Sequence, residues 1–264
     1  MNSNVNGGDD YLRNKEEYEQ FWSQRTRRYW TYATQTKLRR FRYLADRHGL
    51  RERQGQWVFD MGFGMGVMLL SFNRTSYLAG VELSAPAVAE TRAIAEKAGY
   101  PPTDLRVYVP GMSYPAEWNG RFDVVVSSHV LEHLMDPANA IRELMGLLTP
   151  SGTGVLIVPI NERPGDDLNH FQQFTADSFR RLAEEVGLEV VELESCDCLM
   201  QMVFPIARRR QRQPTWWLRV ASVVLNAVLA PLPNGILRLA DWFLVRIGWQ
   251  PSQCFVVVRQ RAKT

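Results

Sequence analysis

The chain predicts an α/β fold built on a parallel sheet, and three observations carry that reading. Strand-length apolar runs alternate with stretches of helical character, the pattern of βαβ units. Phe122–Ser127, FDVVVS, is almost continuously apolar, as a strand buried on both faces requires. Val58–Gly66, VFDMGFGMG, runs from the end of a buried strand into glycines 62, 64 and 66.

The elements follow in order. Val58 and Phe59 close a first strand, and the residues from Val67 onward can form a helix. Thr75–Ser84 predicts a second strand ending in Glu82, followed by a helix over Ala85–Ala98 that Gly99 and Pro101–Pro102 terminate. Leu105–Val109 is a third strand and Phe122–Ser127 the fourth, leading into SHVLEHLMDP and a helix to Leu148. TPSGTG predicts a turn before the strand VLIVP. Leu188–Ser195 and Gln253–Gln260 predict the last two strands.

The glycine loop is the first candidate site. Glycine permits a sharp turn and lets backbone approach a ligand closely. Glycine-rich turns also serve as plain connections, so the loop alone is not decisive. A dinucleotide fingerprint would need glycine at position 67, which is valine. Asp60 precedes the turn, and a carboxylate there suits a ligand with positive charge and an amino group. S-adenosylmethionine therefore fits better than a nicotinamide dinucleotide. Glu82, at the tip of the second strand, can accept hydrogen bonds from ribose hydroxyls or be a solvated strand-end charge.

With VFDMGFGMG, GVELS, FDVVVSSHVLEHLMDP and LTPSGTGVLIVP in this order, the chain resembles the class I S-adenosylmethionine-dependent methyltransferases. It is most similar to the group with a VLEHL segment after the fourth strand, which includes quinone-biosynthesis, small-RNA and natural-product enzymes. The resemblance covers Trp57–Glu194 and resumes at Gln253–Gln260. It implies a seven-stranded Rossmann-like sheet with the last strand antiparallel. It also implies a donor site at Asp60, Gly62, Gly64, Gly66, Glu82, Leu83, Met112, Ser113 and Ser128. Many relatives carry an acidic residue near Met112. Here Met112 can only stack on the adenine ring, leaving its hydrogen bond to Ser113 or backbone.

Composition fits one large domain, or a domain with an appendage, and holds enough apolar residues for a core. A formal net charge of +3 makes no general case for nucleic acid, and no nucleic-acid partner is expected. The first ten residues lack the apolar core of a signal peptide. Three cysteines without framework spacing suggest a reducing compartment, so a cytoplasmic enzyme is expected, peripheral on the inner face of a membrane. Cys196 and Cys198 form a C-x-C with no second pair to complete a zinc site.

Removing a proton from an acceptor hydroxyl needs a base near the donor. His129, His133 and His170 are the catalytic candidates. HVLEH also spells a metalloprotease motif, but it lies in the wrong structural context. No metal is expected; the one set able to hold a divalent ion is His129, Glu132, His133 and His170. Relatives that bind an ion here carry glutamate at the position of His129.

Residues 1–50 predict an N-terminal helical segment, and 51–264 the S-adenosylmethionine-binding domain with an apolar helical insert over about 205–250. The N-terminal segment holds Tyr18, Phe21, Trp22, Arg25, Tyr29, Trp30 and Tyr32, suited to a lid or to plain packing on the sheet. The insert opens with Arg208, Arg209, Arg210 and Arg212. Thr215, Arg219, Ser222 and Asn226 then form one polar stripe on a helix that is otherwise apolar. Arg238, Asp241 and Arg246 mark a second such helix. An interfacial membrane hairpin and a dimer surface both suit this pattern. The expected activity is O-methylation of a small acceptor that is membrane-associated or lipid-linked. The alternatives are a soluble O- or N-methyltransferase of a natural product that dimerises through the hairpin, and a non-catalytic scaffold.

Overall fold

The structure is a computed structural model that describes residues 31–109, 112–162, 169–201, 203 and 216–261. Helix α1 (Tyr32–Arg47) precedes β1 (Trp57–Met61), β2 (Tyr77–Glu82), α2 (Ala85–Lys97), β3 (Asp104–Val107) and β4 (Phe122–Ser128). Then come α3 (Pro137–Gly146), β5 (Leu148–Pro159), α4 (Ala176–Glu185), β6 (Leu188–Cys196), α5 (Trp216–Leu229), α6 (Asn234–Arg246) and β7 (Gln253–Gln260).

The seven strands form one sheet in the order β3-β2-β1-β4-β5-β7-β6. All neighbours through β5 are parallel, and β7 runs antiparallel to both β5 and β6. Alternate strand residues point to opposite faces, which gives the sheet two cores. Phe59, Val81, Val125 and Leu156 meet Ile141 and Leu144 of α3 and Phe179 of α4 on one face. Val58, Leu78, Val124 and Ile157 meet Phe41 and Leu44 of α1 and Val88 of α2 on the other. Helices on both faces explain why FDVVVS shows no alternation.

Two expected elements differ. No α-helix follows Gly66; the chain forms only a 3₁₀ turn at Leu69–Ser71 before β2 begins at Tyr77. The Ser71 hydroxyl donates to the Met68 carbonyl at 2.7 Å, which closes that turn locally. TPSGTG is not a free turn but part of β5. Phe122 pairs with Leu148 and Val124 with Thr153, so the extra residues are taken up as a bulge.

The insert leaves the sheet after Cys196 and re-enters at Gln253, and these two residues pair with each other. Gln253 also pairs with Pro159, the last residue of β5. Both ends of the insert therefore sit at the carboxyl edge of the parallel strands. That is the edge where folds of this kind bind ligands.

Candidate active site

The glycine loop leaves β1 with positive φ at Gly62, Gly64 and Gly66. A Cβ on Gly62 would lie 2.4 Å from Cγ2 of Val130, so the loop and the segment after β4 pack too closely for any side chain. The Gly64 N–H donates to Oε2 of Glu82 at 2.8 Å, and the Ser84 N–H donates to Oε1 at 3.0 Å. Glu82 thus ties the loop to the end of β2, a shaping role that the sequence did not reveal. Its oxygens keep lone pairs for further donors.

Around this loop, buried polar atoms lack hydrogen-bond partners: Oδ1 of Asp60, the hydroxyls of Ser127 and Ser128, Nε2 of His129 and both carboxylate oxygens of Glu132. Buried polar groups are normally paired, so a run of orphans along the ends of β1 and β4 marks a place shaped for a polar ligand. Burial pushes the Asp60 carboxyl well above its usual range, with Glu82 adding to the effect and Lys37 opposing it. Burial raises Glu82 as well. Two carboxyls held out of water next to one another favour a ligand that brings positive charge.

The other expected donor residues line the same edge. Ser128 ends β4, and Leu83 follows β2, half-buried. Met112 packs partly against the core, whereas Ser113 is exposed. Neighbouring Gly111 lies outside the described residues.

His129 has a left-handed backbone, φ 56°. Its Nδ1 lies 3.4 Å from Oε1 of Glu132, which is fully buried. Burial and then Lys37 hold the His129 pKa well below its usual value, so the ring is neutral. Burial pushes the Glu132 carboxyl up to about 8. Nδ1 of His133 is 3.0 Å from the Asn169 carbonyl, and Nδ1 of His170 is 2.6 Å from Oε2 of Glu162. The two rings meet edge to face at 4.7 Å. Each Nδ1 faces an acceptor oxygen and so carries the proton, which puts the lone pair on Nε2. Glu132, His133 and His170 bring one ligand atom each within 4.8 Å of one another, a spacing that a divalent ion could bridge. His129, the fourth residue of the set named from the sequence, is not in that group.

Three contributors were not singled out from the sequence. Lys37 of α1, in the N-terminal segment expected to form a lid, is coupled electrostatically to Asp60 and Glu132, and burial lowers its pKa. Glu162 supports His170, and the side chain of Gln253, the first residue of β7, raises the basicity of His129. None shows a periodic or motif signal, because each reaches the site from a distant segment. Tyr18, Phe21, Trp22, Arg25, Tyr29 and Trp30 lie outside the described residues, as do Arg208, Arg209, Arg210, Arg212 and Thr215. Cys196, Cys198 and Cys254 are buried free thiols.

The hairpin covers one side of its two helices with the rest of the protein and leaves the other side to solvent. Three of its polar positions face the protein: Asn226 Oδ1 accepts the Tyr32 N–H at 2.6 Å, Ser222 is buried, and Asp241 pairs with the buried Arg40, whereas Arg246 is exposed. Its apolar side faces outward. Trp216, Trp217, Val223, Val228, Leu239 and Phe243 are all exposed, Trp216 by 76 %.

Comparison with known proteins agrees with this geometry. A protein-family description, "Methyltransferase domain", matches residues 21–193. A ubiquinone biosynthesis O-methyltransferase of Psychrobacter cryohalolentis is 32 % identical over 111 residues, 42 % of this chain and 43 % of that protein. The match thus spans less than half of that relative. Among solved structures, the [4+2]-cyclase SpnF aligns with a TM-score of 0.58 at 18 % identity, covering 86 % of this chain and 81 % of that one. Phosphoethanolamine N-methyltransferase 2 of Haemonchus contortus, in complex with S-adenosyl-L-methionine, gives 0.57 at 13 % identity, covering 84 % and 52 %.

Proposed function

The chain belongs to the methyltransferase-domain family, as a class I S-adenosylmethionine-dependent enzyme, and from that membership we propose that it methylates a hydroxyl on a small apolar acceptor held at a membrane. The observation that carries the acceptor half is the hairpin. Its outward apolar face is mounted, through Cys196 and Gln253, on the edge of the sheet where the site lies. Among the described residues no single helix is long and apolar enough to cross a bilayer, and Val220–Leu229 of α5 and α6 are bent by 108° to one another. A bent pair with tryptophans outward, Arg246 stacked 3.8 Å over Trp242 and an arginine cluster preceding it in sequence suits a hairpin lying in the headgroup layer. In this reading the protein is cytoplasmic and peripheral on the inner face of that membrane.

The donor site fits its ligand. The orphaned Asp60 oxygen and the glycine loop answer the cationic and backbone-contact needs of S-adenosylmethionine, and Glu82 has lone pairs for the ribose hydroxyls. When bound, that donor supplies an electrophilic methyl carbon whose leaving sulfur keeps the bonding electron pair. The acceptor oxygen supplies the new bond's electrons, and its proton passes to Nε2 of His170. Glu162 holds the His170 ring in the tautomer this needs and stabilises the imidazolium that results. His133 packs against the same ring.

The test incubates the protein with methyl-labelled donor and a bacterial membrane-lipid extract. Label should appear in the organic phase with the intact protein and not with His170→Ala. No transfer, together with sedimentation showing no preference for phosphatidylglycerol vesicles, sinks the membrane-acceptor reading. Elemental analysis of the purified protein settles the base: a stoichiometric divalent ion at Glu132, His133 and His170 would displace the assignment of His170.

A further inference from the structure

Helix α1 is the shared partner of the glycine loop and the hairpin. On one side Phe41, Leu44 and Ala45 pack in the same cluster as Phe63, Met68 and Leu69, the residues that shape the loop after β1. Phe41 also meets Phe72 edge to face at 5.9 Å. On the other side α1 is fastened to the insert by buried polar contacts. The Thr36 hydroxyl donates to Oδ1 of Asp197 at 2.8 Å. Arg40, 2 % exposed, binds Glu194 at 3.1 Å and also pairs with Asp241 of α6. Asp241 in turn accepts the backbone N–H groups of Asp197 and Cys198, at 3.1 and 2.9 Å. Arg39 donates to the Ala230 carbonyl at the hairpin turn, and Arg238 donates to the Tyr43 hydroxyl. A small apolar cluster of Tyr32, Met200, Val203 and Leu237 seals the junction.

We propose that α1 links the two binding events, so that bilayer contact through the hairpin and donor binding in the glycine loop strengthen one another. The proposal rests on the membrane reading above and deepens it by naming how the site is regulated. The hairpin exposes most of its apolar side, so its helices hold to the rest of the chain through α1, the Asp241 contacts and the small cluster around Leu237. A bilayer that covers the apolar side stabilises the hairpin in its docked position. The docked hairpin fixes Thr36 and Arg40, and α1 then holds Phe63 and Met68 in the conformation that presents the loop. Lys37 lies one residue beyond Thr36 on the same helix, so the position of α1 also sets the charge next to Asp60 and Glu132. Binding linkage is reciprocal: whatever factor vesicles add to donor affinity, donor must add to vesicle affinity.

The experiment needs no knowledge of the acceptor. The affinity of the full chain for S-adenosylhomocysteine is measured by calorimetry with and without phosphatidylglycerol vesicles. Vesicle partition is measured by sedimentation with and without the same ligand. A gain of roughly three- to tenfold is expected in both directions, within the usual range of coupling between sites. Arg40→Met should leave both binding events detectable and bring the factor to one. If that variant does not fold, the double variant Trp216→Ser/Trp242→Ser, altered only on the exposed face, should lose the vesicle effect while keeping ligand affinity in solution. Vesicle binding that leaves ligand affinity unchanged overturns the linkage alone. Failure to bind vesicles at all overturns the linkage and the membrane reading together. An undiminished factor in folded Arg40→Met overturns the route through α1.

Discussion

Nδ1 of His170 lies 2.6 Å from Oε2 of Glu162, eight residues earlier in the chain, which makes the two a histidine–carboxylate dyad at the carboxyl edge of the sheet. The carboxylate fixes the tautomer and favours the charged ring, the two properties a general base needs.

If the ring takes the acceptor proton as proposed, His170→Ala should lower methyl transfer by roughly 10²- to 10⁴-fold while leaving donor affinity within about twofold. Glu162→Gln keeps a hydrogen-bond acceptor and loses the charge, so its loss should be smaller. Full turnover by His170→Ala in the labelled-donor assay would remove the dyad from the mechanism.

Asp60 is buried with one oxygen unpaired, a cost the empty protein carries for its ligand. Asp60→Asn should therefore raise the melting temperature of the donor-free protein and weaken donor binding by about tenfold or more. Parallel scans with and without donor check both halves. A variant that binds donor as tightly as the natural protein contradicts the role given to this carboxylate.

Gly62→Ala should cost about 2–3 kcal/mol, combining a left-handed φ with a clash against Val130. Gly49→Ala is the control, since it has a similar φ and open space around it, and should cost about 1–2 kcal/mol. Urea midpoints compare them. Equal losses would mean that Val130 yields and that the loop is not tightly held.

Burial pushes the Asp197 carboxyl up to about 6; the Thr36 hydroxyl and Arg40 oppose the shift, while Asp241 and Glu194 add to it. A carboxyl whose pKa is higher in the folded state binds its proton more tightly there. Its contribution is complete below about pH 4 and is lost as the pH rises through 6, so stability falls across that window. Asp197→Asn keeps the oxygen that accepts from Thr36 and removes the titration, so its stability should be flatter between pH 4 and 6. A natural protein that grows more stable across this window contradicts the assignment.

The fold was legible because its signals are local. FDVVVS showed a strand covered on both sides, and the order of strands and helices implied the crossovers. In the site, Asp60, the three glycines and Glu82 could be read because they sit at strand ends with motif spacing. Lys37, Glu162 and Gln253 could not, since no spacing in the chain relates any of them to the residues they serve. The helix expected after Gly66 failed for a local reason, as the Ser71 side chain closes a short turn there.

The hairpin shows where sequence stops. The spacing of Thr215, Arg219, Ser222 and Asn226 on the first helix, and of Arg238, Asp241 and Arg246 on the second, determined by itself that each helix has a narrow polar stripe and a broad apolar side. Periodicity fixes the angle between two faces of a helix and leaves open which face the rest of the molecule covers. Only the tertiary structure decided that, because Arg40 and the Tyr32 amide had to come from another helix to bury the polar stripe and turn the tryptophans outward.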